Sequence, residues 1–322
     1  MNNEIFKIAY NKIQAAKNIL LVTHNKPDGD ALSSICALQE VCAIEKKRVT
    51  AFCVDQPASQ FAFLPHLEKI ISDRTSFNFF EFDLIIALDC GQLSRTGLTN
   101  EIGNRDAGQF VIEIDHHPKV KDYADLEVRD PYGSSTAELI YRLLRANDIR
   151  INKNLANCIL TGILTDTGNL LYESTSDQTI QIASEMITRG ARFPKIVDNT
   201  WRNKSLDAMK VWGEAMKNLV INEKYQVAFS VLTRDMIEGK NVSDEELEGL
   251  SGFLNNLYGI KALLLLREEK DAKKIKGSLR TADPQINVAT LARYFGGGGH
   301  IRASGFMLDG QLVKEKGIWQ IK

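Results

Sequence analysis

"FVIEIDHHPK", residues 110–119, ends an apolar run on one acid and two adjacent imidazoles, in a chain that has only five histidines. Phe110 to Ile114 is short and rich in Val and Ile, the composition of a strand buried on both faces of a parallel sheet. Three earlier runs share that character: "NILLVT" (18–23), "VTAFCV" (49–54) and "DLIIALD" (83–89). Between the first two lies "DALSSICALQEVCAIEKK", in which Ala31, Ile35, Leu38 and Cys42 recur at helical spacing. Strand, helix and strand in that succession predict an α/β domain with a doubly wound, mainly parallel sheet.

Working outward, helical patterns follow at 134–148, 152–168 and 177–190, the last stopping at Gly190 as a C-cap. Residues 191–221 read as a helical linker with polar interruptions. The pattern then resets into a second α/β unit. Its expected strands are "YQVAFSVL" (225–232), "IKALLLLRE" (260–268) and "KKIKGSLRT" (273–281). Its expected helices are "SDEELEGLSGFLNNLY" (243–258) and "NVATLARYFG" (287–296). The expected organisation is therefore a catalytic domain over 1–190, the linker over 191–221, and a smaller C-terminal domain over 222–322. A length of 322 residues agrees, since single cores stop growing near about 250–300 residues.

Forty basic against 41 acidic residues leave a net charge of −1, so no basic excess marks a long groove for duplex DNA, which argues against a non-specific DNA coater. It does not exclude a phosphate ligand held by a metal, because the ion supplies the positive charge. The five cysteines form no CxxC pair and lie mostly in apolar patterns, as reduced core residues of a cytoplasmic protein do. The N-terminal "MNNEIFKIAYNKIQAAKN" reads as an amphipathic helix, not a signal peptide. No apolar run approaches the ~20 residues that a membrane span needs.

Ligands of a parallel sheet bind beyond the carboxyl ends of its strands. After the first run comes "THNKPDGDA", with His24, Asp28 and Asp30; after the third, Asp89; after the fourth, Asp115, His116 and His117. Asp166 ends an apolar helix in "LTDTGNL". Singly these residues are ordinary: Asp28 and Asp30 suit an N-cap and a first-turn acid, and Asp89 a turn. Jointly they place three imidazoles and at least four carboxylates on one sheet edge. Carboxylates so gathered repel and raise one another's pKa unless a cation intervenes. Mixed nitrogen and oxygen donors suit Mn²⁺, Fe²⁺ or Zn²⁺. Their number fits two ions sharing a bridging carboxylate better than one. His66, outside these motifs, reads as a surface or packing residue.

A second feature is "FGGGGHIRASG" (295–305), with Arg280 just upstream. Each glycine costs about 1 kcal/mol relative to alanine in a helix, so the run does not serve helix stability. It lets backbone amides approach an anion, above all at a helix start, although flexible loops also use glycine. Beside His300 and Arg302 it reads as a phosphate-binding hairpin.

Taken together, "THNKPDGDALSS", "ALDCG", "EIDHHP" and "LTDTGNL" resemble the four motifs of the DHH phosphoesterase family. "SLRTADPQINVATLARYFGGGGHIRASG" resembles its C-terminal DHHA1 domain. The likeness spans nearly the whole chain, and its short two-domain form resembles the NrnA-type nano-RNases, which also remove the 3′-phosphate of pAp. The resemblance implies that His24 and Asp28 hold one Mn²⁺, that Asp30, His116 and Asp166 hold another, and that Asp89 bridges them. It further implies that Asp115 orients the neighbouring imidazole and that His117 meets the scissile phosphate or assists the leaving oxygen. Arg280, Gly297, Gly298, Gly299 and His300 would hold the substrate. The implied mechanism is in-line attack by a hydroxide bridging the two ions. Ser33, Leu170 and Ser304 depart from the family pattern without removing an implied ligand, and bear on pocket shape and substrate preference.

The expected activity is cleavage of very short RNA, dinucleotides above all, to mononucleotides, and dephosphorylation of pAp to AMP. The rivals are hydrolysis of cyclic di-AMP or linear dinucleotides, and, from another class, nucleotide binding on a catalytically dead scaffold. A homodimer is compatible with all of these.

Overall fold

All four apolar runs form neighbouring strands of one sheet in the computed structural model, which describes residues 3–269 and 273–322. The strands are β1 (Asn18–Thr23), β2 (Arg48–Phe52), β3 (Ile70–Ile71), β4 (Leu84–Leu88), β5 (Phe110–Asp115) and β6 (Leu126–Arg129). They lie in the order β3-β2-β1-β4-β5-β6, and every pairing is parallel. The accompanying helices are α1 (Asn3–Ala15), α2 (Gly29–Ile44), α3 (Thr99–Gly103), α4 (Thr136–Ala146), α5 (Lys153–Asp166), α6 (Asp177–Thr188) and α7 (Phe193–Thr200).

Alternating strand residues explain why these runs carry no polar face. Ile19 and Leu21 join a core with residues of α1, α2, α4, α5 and α6. Leu20 and Val22 join the opposite core, with Phe52, Phe79, Phe82, Leu98 and Ile102. Two edge strands, β3 and β6, lie outside the sequence expectations. One is two residues long, and the other, "LEVR", alternates charged and apolar side chains too briefly to stand out.

The chain divides into two compact units, Met1–Arg202 and Asn203–Lys322. The division falls within the 191–221 span. Ile196 of α7 is buried in the first unit's core, whereas Ala208, Val211, Trp212 and Ala215 of α8 (Leu206–Lys217) are buried in the second's.

The second unit continues with β7 (Val220–Asn222), β8 (Val227–Leu232), α9 (Arg234–Ile237), α10 (Asp244–Leu247), α11 (Leu250–Leu254), β9 (Ala262–Glu268) and β10 (Lys274–Arg280). It ends with α12 (Val288–Tyr294), β11 (Gly298–Gly299), β12 (Ala303–Asp309), β13 (Leu312–Glu315) and β14 (Ile318–Ile321). Its sheet runs β11-β12-β10-β9-β8-β7, with β8 and β9 parallel and the other neighbours antiparallel; β13 and β14 form a separate hairpin. The single helix expected over 243–258 is two short ones. Ser243 and Glu246 form a capping box at the start of α10, and Gly249, at φ +85°, breaks the chain before α11. No helix among the described residues is long and apolar enough to cross a membrane.

Glu40 ties α2 to two other elements. Its carboxylate accepts hydrogen bonds from Asn152 (2.6 Å) and Asn154 (3.2 Å) at the start of α5, and lies 2.5 Å from His66 Nε2. His66 is therefore a packing residue. Burial opposes ionisation of Glu40, but His66 and the two asparagines outweigh it and hold the carboxyl below its ordinary range. A depressed folded-state pKa means that the stabilisation is fully present above about pH 4.3 and is lost as pH falls through the folded value. Glu40→Ala, which strands buried donors, is expected to cost about 2–3 kcal/mol by urea unfolding at pH 7. The gap from wild type should narrow in acid.

Candidate metal centre

The strand order reverses between β1 and β4, and in an open α/β sheet that switch point leaves a crevice beyond the strand ends. His24 immediately follows β1 and Asp89 immediately follows β4, so both lie at the switch. Asp89 adopts φ +59°, a left-handed turn, while its amide stays bonded to the Ile114 carbonyl at 3.0 Å. Asp28 is the N-cap of α2, and its Oδ1 accepts from the amides of Asp30 and Ala31 at 3.1 Å each. The capping reading of Asp28 is thus correct for one oxygen. Its other oxygen, Oδ2, stands 3.8 Å from His24 Nε2.

Asp30 is buried and held from the far side by the N-terminus of α4. The amides of Thr136 and Ala137 donate to its two oxygens at 2.6 and 2.9 Å, a placement that the positive end of a helix favours. Thr136 Oγ1 also donates to Asp89 Oδ1 at 2.9 Å. Thr136 was not among the residues expected here. Its signal was present in "STAE" (135–138), a capping-box pattern whose Ser135 caps α4 through the Glu138 amide.

Two cradles result. His24 Nε2 lies 3.8 Å from both Asp28 Oδ2 and Asp89 Oδ2. His116 Nε2 lies 3.5 Å from Asp89 Oδ1, 3.5 Å from Asp166 Oδ2 and 3.8 Å from Asp30 Oδ2. Asp89 therefore presents one oxygen to each cradle. These separations are too long for hydrogen bonds. Donors that each sit about 2.0–2.2 Å from one cation stand roughly 3–4 Å apart, as these do.

The donor chemistry fits a cation as well. His24 Nδ1 is bonded to the Asn25 carbonyl at 2.8 Å, and its buried Nε2 has no hydrogen-bond partner among the described residues. His116 Nδ1 lies 3.3 Å from the Gly133 carbonyl, which likewise leaves Nε2 to face the acids. Burial, then the charges of Asp89, Asp166 and Asp28, push the Asp30 carboxyl well above its ordinary range. Burial, helped by Asp28 and Asp89 against the opposing His116, pushes Asp166 to about 6. A divalent ion in each cradle would relieve both.

Asp115 and His117 form a separate pair beside the cradles. Asp115 Oδ1 lies 2.8 Å from His117 Nδ1 and accepts from the His117 amide at 2.7 Å, while Oδ2 accepts from the Gly91 amide at 2.5 Å. Burial disfavours charge on both, but their attraction wins: the carboxyl is held low and the imidazole pKa is raised well above its usual value. Arg129 stands behind them, bonded to the His117 carbonyl and 2.6 Å from Glu113.

In the second unit, register brings the other expected residues to one end of the sheet. Arg280 lies opposite Ala303, and Gly298 and Gly299 lie opposite Gly305 and Ser304. The glycine run follows the C-terminus of α12 and opens no helix. Amides of Gly297 and His300 are spent on the Ala292 and Ala303 carbonyls. A Cβ at Gly297 would collide with the Gly305 carbonyl, so close strand approach requires glycine there. Ser304 closes the turn by donating to the His300 carbonyl at 2.6 Å.

Comparison with known proteins matches residues 18–163 to the DHH family, N-terminal domain, and residues 222–318 to the DHHA1 domain. The bifunctional oligoribonuclease and PAP phosphatase NrnA of Bacillus subtilis is 30% identical over 89% of this chain and 88% of its own. The chain belongs to the DHH phosphoesterase family. It is a hydrolase of phosphoester bonds, from a metal-dependent family. NrnA of Thermus thermophilus is 27% identical over 91% of this enzyme and 84% of its own chain. The crystal structure of an exopolyphosphatase-related protein from Bacteroides fragilis shares the fold with a TM-score of 0.85 and 26% identity, covering 95% of this enzyme and 91% of that chain.

Gly162 of α5 tests the cradle without replacing a donor. A Cβ there would press on Ala137 Cβ and stand 2.6 Å from Asp30 Oδ1. Gly162→Ala is expected to destabilise the fold by about 1–3 kcal/mol through overpacking. It should also weaken binding of a divalent cation, measured by calorimetric titration of the folded variant with Mn²⁺ as the probe.

Proposed function

We propose that this hydrolase degrades very short oligoribonucleotides to mononucleotides and dephosphorylates pAp to AMP, with manganese as its ion. The observation that carries this reading is the likeness to B. subtilis NrnA, which runs through both domains rather than the catalytic one alone. All six expected donors, His24, Asp28, Asp30, Asp89, His116 and Asp166, are present, which favours catalysis over a dead scaffold. The near-balanced charge also fits a small substrate better than long duplex DNA.

His24, Asp28 and Asp89 would hold one ion, and Asp30, His116 and Asp166 the other, with Asp89 common to both. When bound, two divalent ions supply a nucleophile at neutral pH and neutralise charge on the phosphoryl group. The remaining steps belong to the chain. Asp115 fixes the His117 ring through Nδ1 and keeps it protonated, so that Nε2 can deliver a proton to the leaving oxygen. Thr136 steadies the shared Asp89 carboxylate. Arg280, Gly297, Gly298, Gly299 and His300 serve nucleotide binding in the second unit. The reading places the enzyme in the cytoplasm, where short RNA fragments arise.

The test is Mn²⁺-dependent cleavage of pApA, pAp and cyclic di-AMP in parallel, with a 20-mer RNA for comparison. AMP from pApA and pAp, no opening of the cyclic compound and a slower 20-mer are expected. Asp89→Asn should abolish turnover, and chelation of the wild type should do so reversibly. Cleavage of cyclic di-AMP in preference to pApA would make the enzyme a cyclic-dinucleotide phosphodiesterase instead.

A further inference from the structure

Arg95 belongs to none of the family motifs quoted above, yet it sits against the same crevice. It lies in a short 3₁₀ turn (Leu93–Thr96) in the segment that leaves Asp89. Its backbone is fixed to the other side of the switch point, because the Arg95 carbonyl accepts from the Asn25 amide at 2.8 Å, one residue after His24. The side chain is partly buried. Its guanidinium donates one hydrogen bond, from Nη1 to the Cys90 carbonyl at 3.3 Å, and forms no ion pair among the described residues.

Gly91 locates that guanidinium relative to the chemistry. A Cβ on Gly91 would stand 3.4 Å from Arg95 Nη1, 3.5 Å from His117 Cγ and 3.6 Å from His117 Cδ2. The guanidinium and the imidazole therefore flank one glycine, on the side of the site where Asp115 fixes His117. A guanidinium has five N–H donors in a rigid fork. Closing a turn on one carbonyl at 3.3 Å uses one of them poorly. Holding a long cation half out of water beside a phosphoester-cleaving centre is unexplained by that contact alone. Planar recognition of phosphate oxygens is what the fork does best.

We propose that Arg95 is a further catalytic residue, whose guanidinium holds a non-bridging oxygen of the scissile phosphoryl group beside His117. The assignment rests on the phosphoesterase reading of the two cradles, and on His117 facing the same phosphoryl group. Its charge meets the negative charge that grows on those oxygens as the bond to the leaving group breaks. The carbonyl of Cys90 keeps the fork in place between turnovers.

The experiment compares wild type, Arg95→Ala and Arg95→Lys with Mn²⁺ present, using pAp and a p-nitrophenyl phosphodiester. Loss of one such donor is expected to lower kcat about 10²- to 10³-fold in Arg95→Ala. Its melting temperature and Mn²⁺ stoichiometry should stay those of the wild type. Inhibition by inorganic phosphate should weaken about tenfold, in line with one charge-assisted contact of ~1.5 kcal/mol or more. Arg95→Lys should recover little, since it keeps the charge and loses the fork. Guanidinium ion at millimolar concentrations should restore part of the Arg95→Ala rate and none of the Asp89→Asn rate. Near-wild-type kcat in Arg95→Ala would overturn the proposal, as would a loss that tracks the melting temperature and resists guanidinium. If the wild type ignores pAp but cleaves the diester, the pAp reading falls while the Arg95 comparison still stands on the diester.

Discussion

Mutual repulsion among buried carboxylates is the constraint around which the catalytic unit is built. Asp30, Asp89 and Asp115 are almost wholly buried, and Asp28 and Asp166 stand at the open side of the same crevice. Folding must hold these acids together before any compensating charge arrives. The backbone does much of that work. The first turns of α2 and α4 aim amides at Asp28 and Asp30, and the left-handed turn at Asp89 swings its carboxylate into the crevice. A non-glycine residue in that conformation costs about 1–3 kcal/mol and persists only when its surroundings dictate it. Here they do, through the Ile114 carbonyl on one side and the Thr136 hydroxyl on the other.

Asp166 shows the opposite logic. It is the last residue of α5, where the helix dipole disfavours a negative charge. An acid in that position violates a local preference, and such violations gather at functional sites. The β5 end divides its labour between neighbours: His116 turns to the acids, while Asp115 and His117 make a charged pair that shares Asp89 as its boundary. Consecutive residues after a strand end thus serve different partners without any further element being needed.

Much of this was legible in the sequence because it depends on strand ends. Apolar runs with no polar alternation located β1, β2, β4 and β5, and the residues after them supplied most of the cradles. The parts that escaped notice are those set by pairing at a distance. β3 and β6 exist because a neighbouring edge accepts them, not because their few residues prefer it. The role of Thr136 depends on where α4 begins relative to Asp30, more than a hundred residues earlier in the chain. The glycine run was readable as a tight structure, but its position after α12 was not. Only the fold shows that its first two amides, of Gly296 and Gly297, are committed to carbonyls at the end of α12. The helix over 243–258 failed at Gly249, where a left-handed turn outweighs an otherwise helical pattern.

The grip of α4 on Asp30 has a consequence for metal supply. Two backbone amides fix that carboxylate, as two others fix Asp28, so the shape of the cradles is largely a property of the scaffold. A divalent ion would then enter and leave such a site with little refolding. A site of imidazoles and carboxylates ranks divalent metals by general affinity trends more than by a specific fit. Under the manganese reading, the ion that such a site holds would be set by what the cell keeps available, and the activity of this enzyme would follow metal homeostasis.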